Sequence, residues 1–243
     1  MARKKTFSKT RVQLAGLEID ILRKNVKNLN LRVYPAEERV RISVPRRISE
    51  EAVIQFIEEK LPWIKKHISN YRKRPQKEPL KYKTGEKHLY SGKELKLRVV
   101  EKNKAPHVFI DAEKYLVLQV RPDSDIPKRS SVLKEWYRSE LKREIPLLIE
   151  KWEKPMGVSV QEFGVKLMKT RWGTCNIRDQ RIWLNLELAK KRPELLEYVV
   201  VHEMVHLLER LHNKRFYNFM SQFLPGWRSL KDELNGRSSI SDC

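Results

Sequence analysis

The sequence has few cysteines, no long apolar run and a shortage of acidic residues. Its only cysteines are Cys175 and Cys243, and the second ends a polar tail, so a framework of disulfides is not expected. The first residues lack the apolar stretch of about 7 to 15 residues that a secretory signal needs, and no run approaches the roughly 18 apolar residues of a membrane span. We therefore expect a cytoplasmic protein with no membrane partner.

The shortage of acidic residues leaves a large positive charge. The chain has 52 Lys and Arg but only 31 Asp and Glu, which gives a formal net charge of +21. Such an excess favours nucleic acid or nucleotides as partners, although a solubilising surface explains it equally well. The stretch from Arg72 to Lys87 is rich in basic residues and contains prolines. We interpret it as a linker, with a nucleic-acid patch as the alternative.

Alternating apolar and polar residues dominate the first half of the chain. They predict antiparallel strands at 17–24, 30–36 and 39–45, and further short strands between 88 and 120. Between these two groups, Ser49 is a candidate N-cap for a helix that runs to about Asn70.

The second half has longer apolar periodicities that are typical of helices. An amphipathic helix is predicted from Ser130 to about Trp152, with a break or kink near Pro146. Short strands are predicted around 158–163, 165–168 and 181–188. Pro193 then opens a helix as its first residue.

These patterns predict an α+β fold. A strand-rich N-terminal half with one helix should precede a zincin-like helical C-terminal half that carries a metal site. We divide the chain into residues 1–90, a strand-helix region with the basic connector, and residues 91–243, a hydrolase region whose zincin-like core spans about 130–235. One continuous domain is the alternative, because 243 residues with 40% apolar side chains can form a single core.

The last predicted helix contains a metal-binding pattern. Residues 202–206 read His-Glu-Met-Val-His. Two histidines four residues apart on a helix differ by about 40° in direction and about 6 Å in height, so His202 and His206 can reach one ion. Glu203 then lies beside the ion, where it can take a proton from a water that the metal activates. The alternative is a pair of core histidines that hydrogen bonds satisfy.

A catalytic zinc usually has three protein ligands and one open position. His212 is the candidate third ligand, but on an ideal helix it would point about 80° away from His202. The helix must therefore end or bend near Leu211. Glu209 and Glu233 are alternative third ligands. We expect one Zn²⁺ per chain.

Three further residues are candidates for supporting roles, and Cys175 is a possible fourth ligand. Arg171 could stabilise an oxyanion or bind an anionic substrate group, or it could pair with a structural carboxylate. Tyr217 is a second oxyanion candidate, unless it only packs the core. Asn185 lies in the segment 181–186. If this segment is an edge strand above the zinc, it could bind an extended peptide as a further strand. Cys175 as a fourth ligand would close the site, and Glu203 in the position of a general base argues against that.

These residues resemble those of a known family. The pattern from His202 to His212, followed by Lys214–Tyr217, resembles the SprT-like zinc metallopeptidases, and most closely the YgjP-like predicted metal-dependent hydrolases. Other segments are similar to further parts of this family: the stretch from Val44 through Ile64, and the motifs Arg171–Cys175, Leu184–Asn185 and Leu224–Trp227. Thr174 stands where the family has Ser, and Tyr217 where it has Trp. Thr174 keeps the hydroxyl group, and Tyr217 keeps an aromatic ring.

The resemblance implies His202, His206 and His212 as zinc ligands and Glu203 as the catalytic residue. The function that we predict is zinc-dependent hydrolysis, with a peptide or protein as substrate. Two alternatives keep the same residues: a metal-dependent phosphohydrolase that acts on nucleotides, and a nucleic-acid-binding protein with a structural zinc. Glu203 disfavours the second, because a structural zinc needs no general base.

Overall fold

The computed structural model describes residues 8–73 and 78–236. The chain forms two compact units, Met1–Pro79 and Leu80–Cys243. Cys243 and part of the predicted linker, residues 74–77, lie outside the described residues. The described helices include none that is long and apolar enough to cross a membrane. The cytoplasmic location stays a prediction.

The first unit is a four-stranded sheet with one helix. Its elements are β1 (Ser8–Leu14), β2 (Leu17–Lys24), β3 (Asn30–Tyr34), β4 (Arg39–Pro45) and α1 (Glu50–Arg72). The strand order is β1-β2-β4-β3, and β2 runs parallel to β4. The prediction of antiparallel strands is therefore wrong for this pair. Apolar alternation fixes which face of a strand is buried and carries no information on the direction of its neighbour.

Helix α1 covers the apolar face of this sheet. Its residues Val53 and Ile57 pack with Ile19 and Ile42 in one buried cluster. The predicted N-cap is confirmed, because the Ser49 hydroxyl accepts a hydrogen bond of 3.2 Å from the amide of Ala52. This unit thus has its own core.

The second unit begins with another four-stranded sheet and a long helix. Its elements are β5 (Lys87–Tyr90), β6 (Lys93–Glu101), β7 (His107–Asp111), β8 (Tyr115–Val120) and α2 (Ile126–Met156). Strand β5, which we had placed with the N-terminal region, pairs with β6 of this unit. Of the predicted break or kink at Pro146, the break is wrong, because α2 continues through it to Met156. Burial of Ile145 and Ile149 on either side of Pro146 offsets the backbone hydrogen bond that the proline removes.

A small three-stranded sheet follows α2. It consists of β9 (Glu162–Lys166), β10 (Gly173–Asn176) and β11 (Arg181–Asn185), in the order β10-β11-β9. One strand therefore replaces the two predicted between 158 and 168. The predicted strand 181–188 stops at Asn185, and a 3-10 helix follows it over Leu186–Lys190. Strand β11 is the central strand, so the prediction that 181–186 is an edge strand is wrong.

Three helices complete the second unit: α3 (Pro193–Val205), α4 (Lys214–Phe223) and α5 (Trp227–Leu234). Pro193 opens α3 as predicted. The helix is apolar on most of its circumference because it packs against α2, α4, α5, β10 and β11. The α+β class, with a strand-rich N-terminal half and helices in the C-terminal half, is confirmed.

Candidate metal centre

The end of α3 positions the three histidines. His202 lies in the last turn of the helix, and His206 is its C-cap residue. The partial negative charge of a helix C-terminus favours a cation at this position. The chain leaves the helix after His206, and His212 lies immediately before α4. The side chain of Asn213, the N-cap residue of α4, accepts a hydrogen bond of 3.0 Å from the amide of Phe216. The helix therefore ends before His212, as the spacing requires.

The structure brings the three imidazole rings together. One ring nitrogen from each of His202, His206 and His212 lies within 4.8 Å of the others. The Nε2 atoms of His202 and His212 are 3.1 Å apart. Nitrogens bound tetrahedrally at about 2.0–2.1 Å from a zinc ion would lie roughly 3.3 Å from one another. The donor set and its spacing therefore fit a metal ion.

A contact outside the cluster orients one of the rings. The Nδ1 atom of His206 lies 3.2 Å from the carbonyl oxygen of Glu209. When Nδ1–H donates to this carbonyl, the lone pair of Nε2 is free for a metal. Glu209 thus orients the His206 ring through its backbone carbonyl.

Burial keeps the histidines uncharged. It lowers the pKa of His202 to about 3, and repulsion by His206 and His212 adds to this effect. Burial also lowers the pKa values of His206 and His212. At neutral pH the rings are therefore in the neutral form that binds metals.

Glu203 is a buried carboxyl group pressed against β10. Only 5% of it is exposed, and burial raises its pKa to about 8, against an opposing effect of the Arg171 charge. A Cβ atom on Gly173 would lie 2.6 Å from Oε1 of Glu203. Only glycine leaves room for the carboxylate here. This role of Gly173 is not predicted from the sequence, although its place in the segment Arg171–Cys175 is a signal for it.

A cleft of about 1110 Å³ lies beside the histidines and Glu203. Residues 173–176 of β10 form one wall, and residues of α3, the loop after it and α5 line the rest. Strand β10 pairs with β11 on one side only, which leaves its other edge free within the described residues. The edge strand at the candidate centre is therefore β10 and not β11.

The alternative ligands are engaged elsewhere. Both carboxylate oxygens of Glu233 accept hydrogen bonds from Arg192, at 2.8 and 2.6 Å. The Glu209 carboxylate accepts from the amide of Leu211. Cys175 lines the cleft but does not belong to the group of side chains whose ligand atoms converge within 4.8 Å.

The three supporting candidates occupy different environments. Arg171 is exposed and lines the cleft. Tyr217 stacks on Trp227, with ring centroids 5.3 Å apart, and its ring also faces His212 at 6.4 Å. Asn185 is buried and bonds to the backbone: its amide donates to the carbonyls of Met168 and Arg171, at 3.0 and 2.8 Å. Asn185 thus anchors the loop that carries Arg171.

Comparison with known proteins places the chain in a family. Residues 27–237 match the YgjP-like family model, which describes a metallopeptidase domain. The chain belongs to the YgjP-like family. The predicted resemblance is confirmed at this level, and a metal-dependent peptidase and a metal cofactor follow from the family. The wider SprT-like resemblance stays a prediction.

Solved structures and curated proteins add little to this assignment. The crystal structures of two metallopeptidase zymogens are similar to part of the chain: abylysin of Pyrococcus abyssi, with 17% identity and a TM-score of 0.36, and jannalysin of Methanocaldococcus jannaschii, with 16% and 0.35. Each match covers 38% of this chain, and 93% and 95% of the respective neighbour. Likeness at this level does not establish a mechanism. No curated protein matches the chain.

Proposed function

We propose that this YgjP-like protein is a zinc-dependent peptidase with a zincin-like centre. His202, His206 and His212 hold one zinc ion, and Glu203 is the general base. The observation that supports this most directly is the convergence of three ring nitrogens within 4.8 Å, beside a buried carboxyl group at an open cleft. A purely structural zinc would need neither the carboxyl group nor the cleft.

A zinc ion held by these histidines would act as a Lewis acid and lower the pKa of a water to about 7. The protein supplies the proton transfers. A nearby dication favours the ionised form of Glu203, against the effect of burial. The Glu203 carboxylate accepts a proton from the attacking water and returns it to the leaving amine. The lack of a side chain at Gly173 leaves room for the carboxylate in this position.

Strand β10 offers a binding site for the main chain of the substrate. Its four residues line the cleft, and one of its edges is unpaired within the described residues, so an extended peptide can add to it as a further strand. Arg171 lines the same cleft, which supports a role in stabilising the negative charge that develops on the scissile carbonyl. Tyr217 supports His212 through its ring rather than acting on the substrate.

Metal analysis and one substitution test the proposal. Purified protein should contain about one zinc per chain, and His202→Ala should lose it. Glu203→Gln should retain the zinc and lose hydrolysis of a denatured protein by about 10²–10⁴-fold. Full hydrolysis by a zinc-loaded Glu203→Gln protein would show that Glu203 is not the base.

A phosphohydrolase is the second candidate, because the cleft contains cationic side chains that suit phosphate as well as carboxylate. A nucleotide panel assayed with the same zinc-loaded preparation separates the two functions. Phosphate release that depends on Glu203, without peptide cleavage, would favour this alternative. Nucleic-acid binding through the basic surface stays a prediction, which salt-dependent binding assays can test.

A further inference from the structure

The cleft beside the candidate centre is lined by cations from four separate segments. Arg171 precedes β10, Arg178 follows it, Arg210 lies in the loop between two of the histidines, and Lys231 belongs to α5. Among the described residues, Glu203 is the one carboxylate that lines the cleft.

These four side chains are not neutralised by protein carboxylates. Within the described part of the chain, none of them has a carboxylate oxygen within 4.0 Å, whereas Arg181 and Arg192 outside the cleft each pair with two acids. The Lys231 ammonium lies 5.8 and 5.7 Å from the ring centroids of Tyr217 and Trp227. These rings hold the ammonium in position without cancelling its charge.

Two of these cations share the cleft with the centre itself. Arg171 and Lys231 line it together with His202 and Glu203. A bound dication would add to the positive potential there.

We infer that the cleft selects peptides that carry carboxylates on both sides of the bond to be cleaved. This rests on the proposed peptidase function. The four residues of β10 span about 13 Å, and Arg171 and Arg178 flank the strand at its two ends. An extended peptide beside β10 therefore has one cation near each end, and Arg210 and Lys231 line the same cleft. The carboxylates can come from acidic side chains or, on one side, from the C-terminus of the peptide.

A matched peptide set tests this inference. Peptides of one length carry Glu, Gln or Lys on both sides of a constant central segment, each with a free or an amidated C-terminus. Cleavage by the zinc-loaded protein is measured as kcat/KM, and binding to zinc-loaded Glu203→Gln is measured by fluorescence anisotropy. We expect the Glu peptides to exceed the Gln peptides by about tenfold or more, with each exposed ion pair contributing roughly two- to fivefold. The preference should fall as ionic strength rises.

Variants tie the preference to the cleft. Arg178→Gln combined with Arg210→Gln should lower the Glu-to-Gln ratio about tenfold. The matched control combines Lys134→Gln with Lys142→Gln, two exposed lysines of α2 outside the cleft, and should keep the ratio.

Each outcome decides one question. Equal cleavage and binding of Glu and Gln peptides would overturn the inference and leave the peptidase function intact. Binding of Glu peptides without any cleavage by the wild-type protein would support the inference and overturn the proposed function. Dependence on a free C-terminus alone would identify the terminal carboxylate as the recognised group and overturn recognition on both sides.

Discussion

The contact between Gly173 and Glu203 predicts that one added methyl group will inactivate the enzyme without removing its metal. In Gly173→Ala, the new Cβ would lie 2.6 Å from Oε1 and 2.8 Å from Cδ of Glu203. Ordinary contacts begin at about 3.4 Å, so the carboxylate must move by roughly 0.8 Å. A misplacement of about 1 Å can lower a rate about 100-fold. We therefore expect kcat to fall about 100-fold, while all three histidines keep their positions.

Single-turnover cleavage of a peptide, with zinc content measured on the same sample, tests this prediction. Glu203→Gln sets the lowest rate expected, and Thr174→Ser in the same strand is the control, because it removes a methyl group and adds none. The melting temperature of Gly173→Ala shows whether the fold is retained. A folded, zinc-loaded Gly173→Ala protein with the wild-type kcat would refute the assigned position or role of the Glu203 carboxylate.

Three further predictions concern the ligands, the anchoring loop and the response to pH. His212→Ala should weaken zinc binding in a chelator competition by more than about 100-fold, because loss of a mere outer-shell partner already costs up to about that much. Glu233→Ala should leave zinc binding unchanged. The reverse result would make Glu233 the ligand. Asn185→Ala should lower the free energy of unfolding in urea by about 1–3 kcal/mol, because buried backbone groups lose their partner; an unchanged midpoint would contradict this. In the metal-free protein, folding raises the pKa of Glu203 from 4.5 to about 8, so the free energy of unfolding falls as pH rises from 4.5 to 8. Folding lowers the pKa of His202 from 6.5 to about 3, so the free energy of unfolding also falls as pH drops below 6.5. Melting temperatures should therefore be highest between about pH 4.5 and 6.5, and Glu203→Gln should remove the decline at higher pH; if that decline persists in the variant, Glu203 is not its cause.

The parts of the centre that the sequence predicts are the local ones. Helical periodicity places His202 and His206 on one face of α3 and sets Glu203 beside them, and the spacing of four residues is visible without any tertiary structure. The end of the helix before His212 follows from the same geometry. It comes at Val205, earlier than the bend expected near Leu211.

The parts that the sequence does not predict depend on long-range contacts. The approach of Gly173 to Glu203 joins segments 30 positions apart, and the packing of β10 against α3 creates it. The central position of β11 follows from its pairing with β9, which no alternation pattern encodes. The hydrogen bonds of Asn185 were unpredictable for the same reason, so its role as an anchor emerged only from the fold.

The position of His212 between two helices couples metal affinity to the docking of α4. Two of the proposed ligands lie at the end of a buried helix, but the third lies in an exposed loop that Asn213 ties to the start of α4. A metal that binds all three histidines stabilises the conformation in which the loop holds His212 beside His202 and His206. The free energy needed to order the loop in this conformation reduces the observed free energy of metal binding. Slower amide exchange between His206 and Asn213 on zinc loading would measure that linkage. Substitutions within α4 far from any ligand would then change the affinity for zinc.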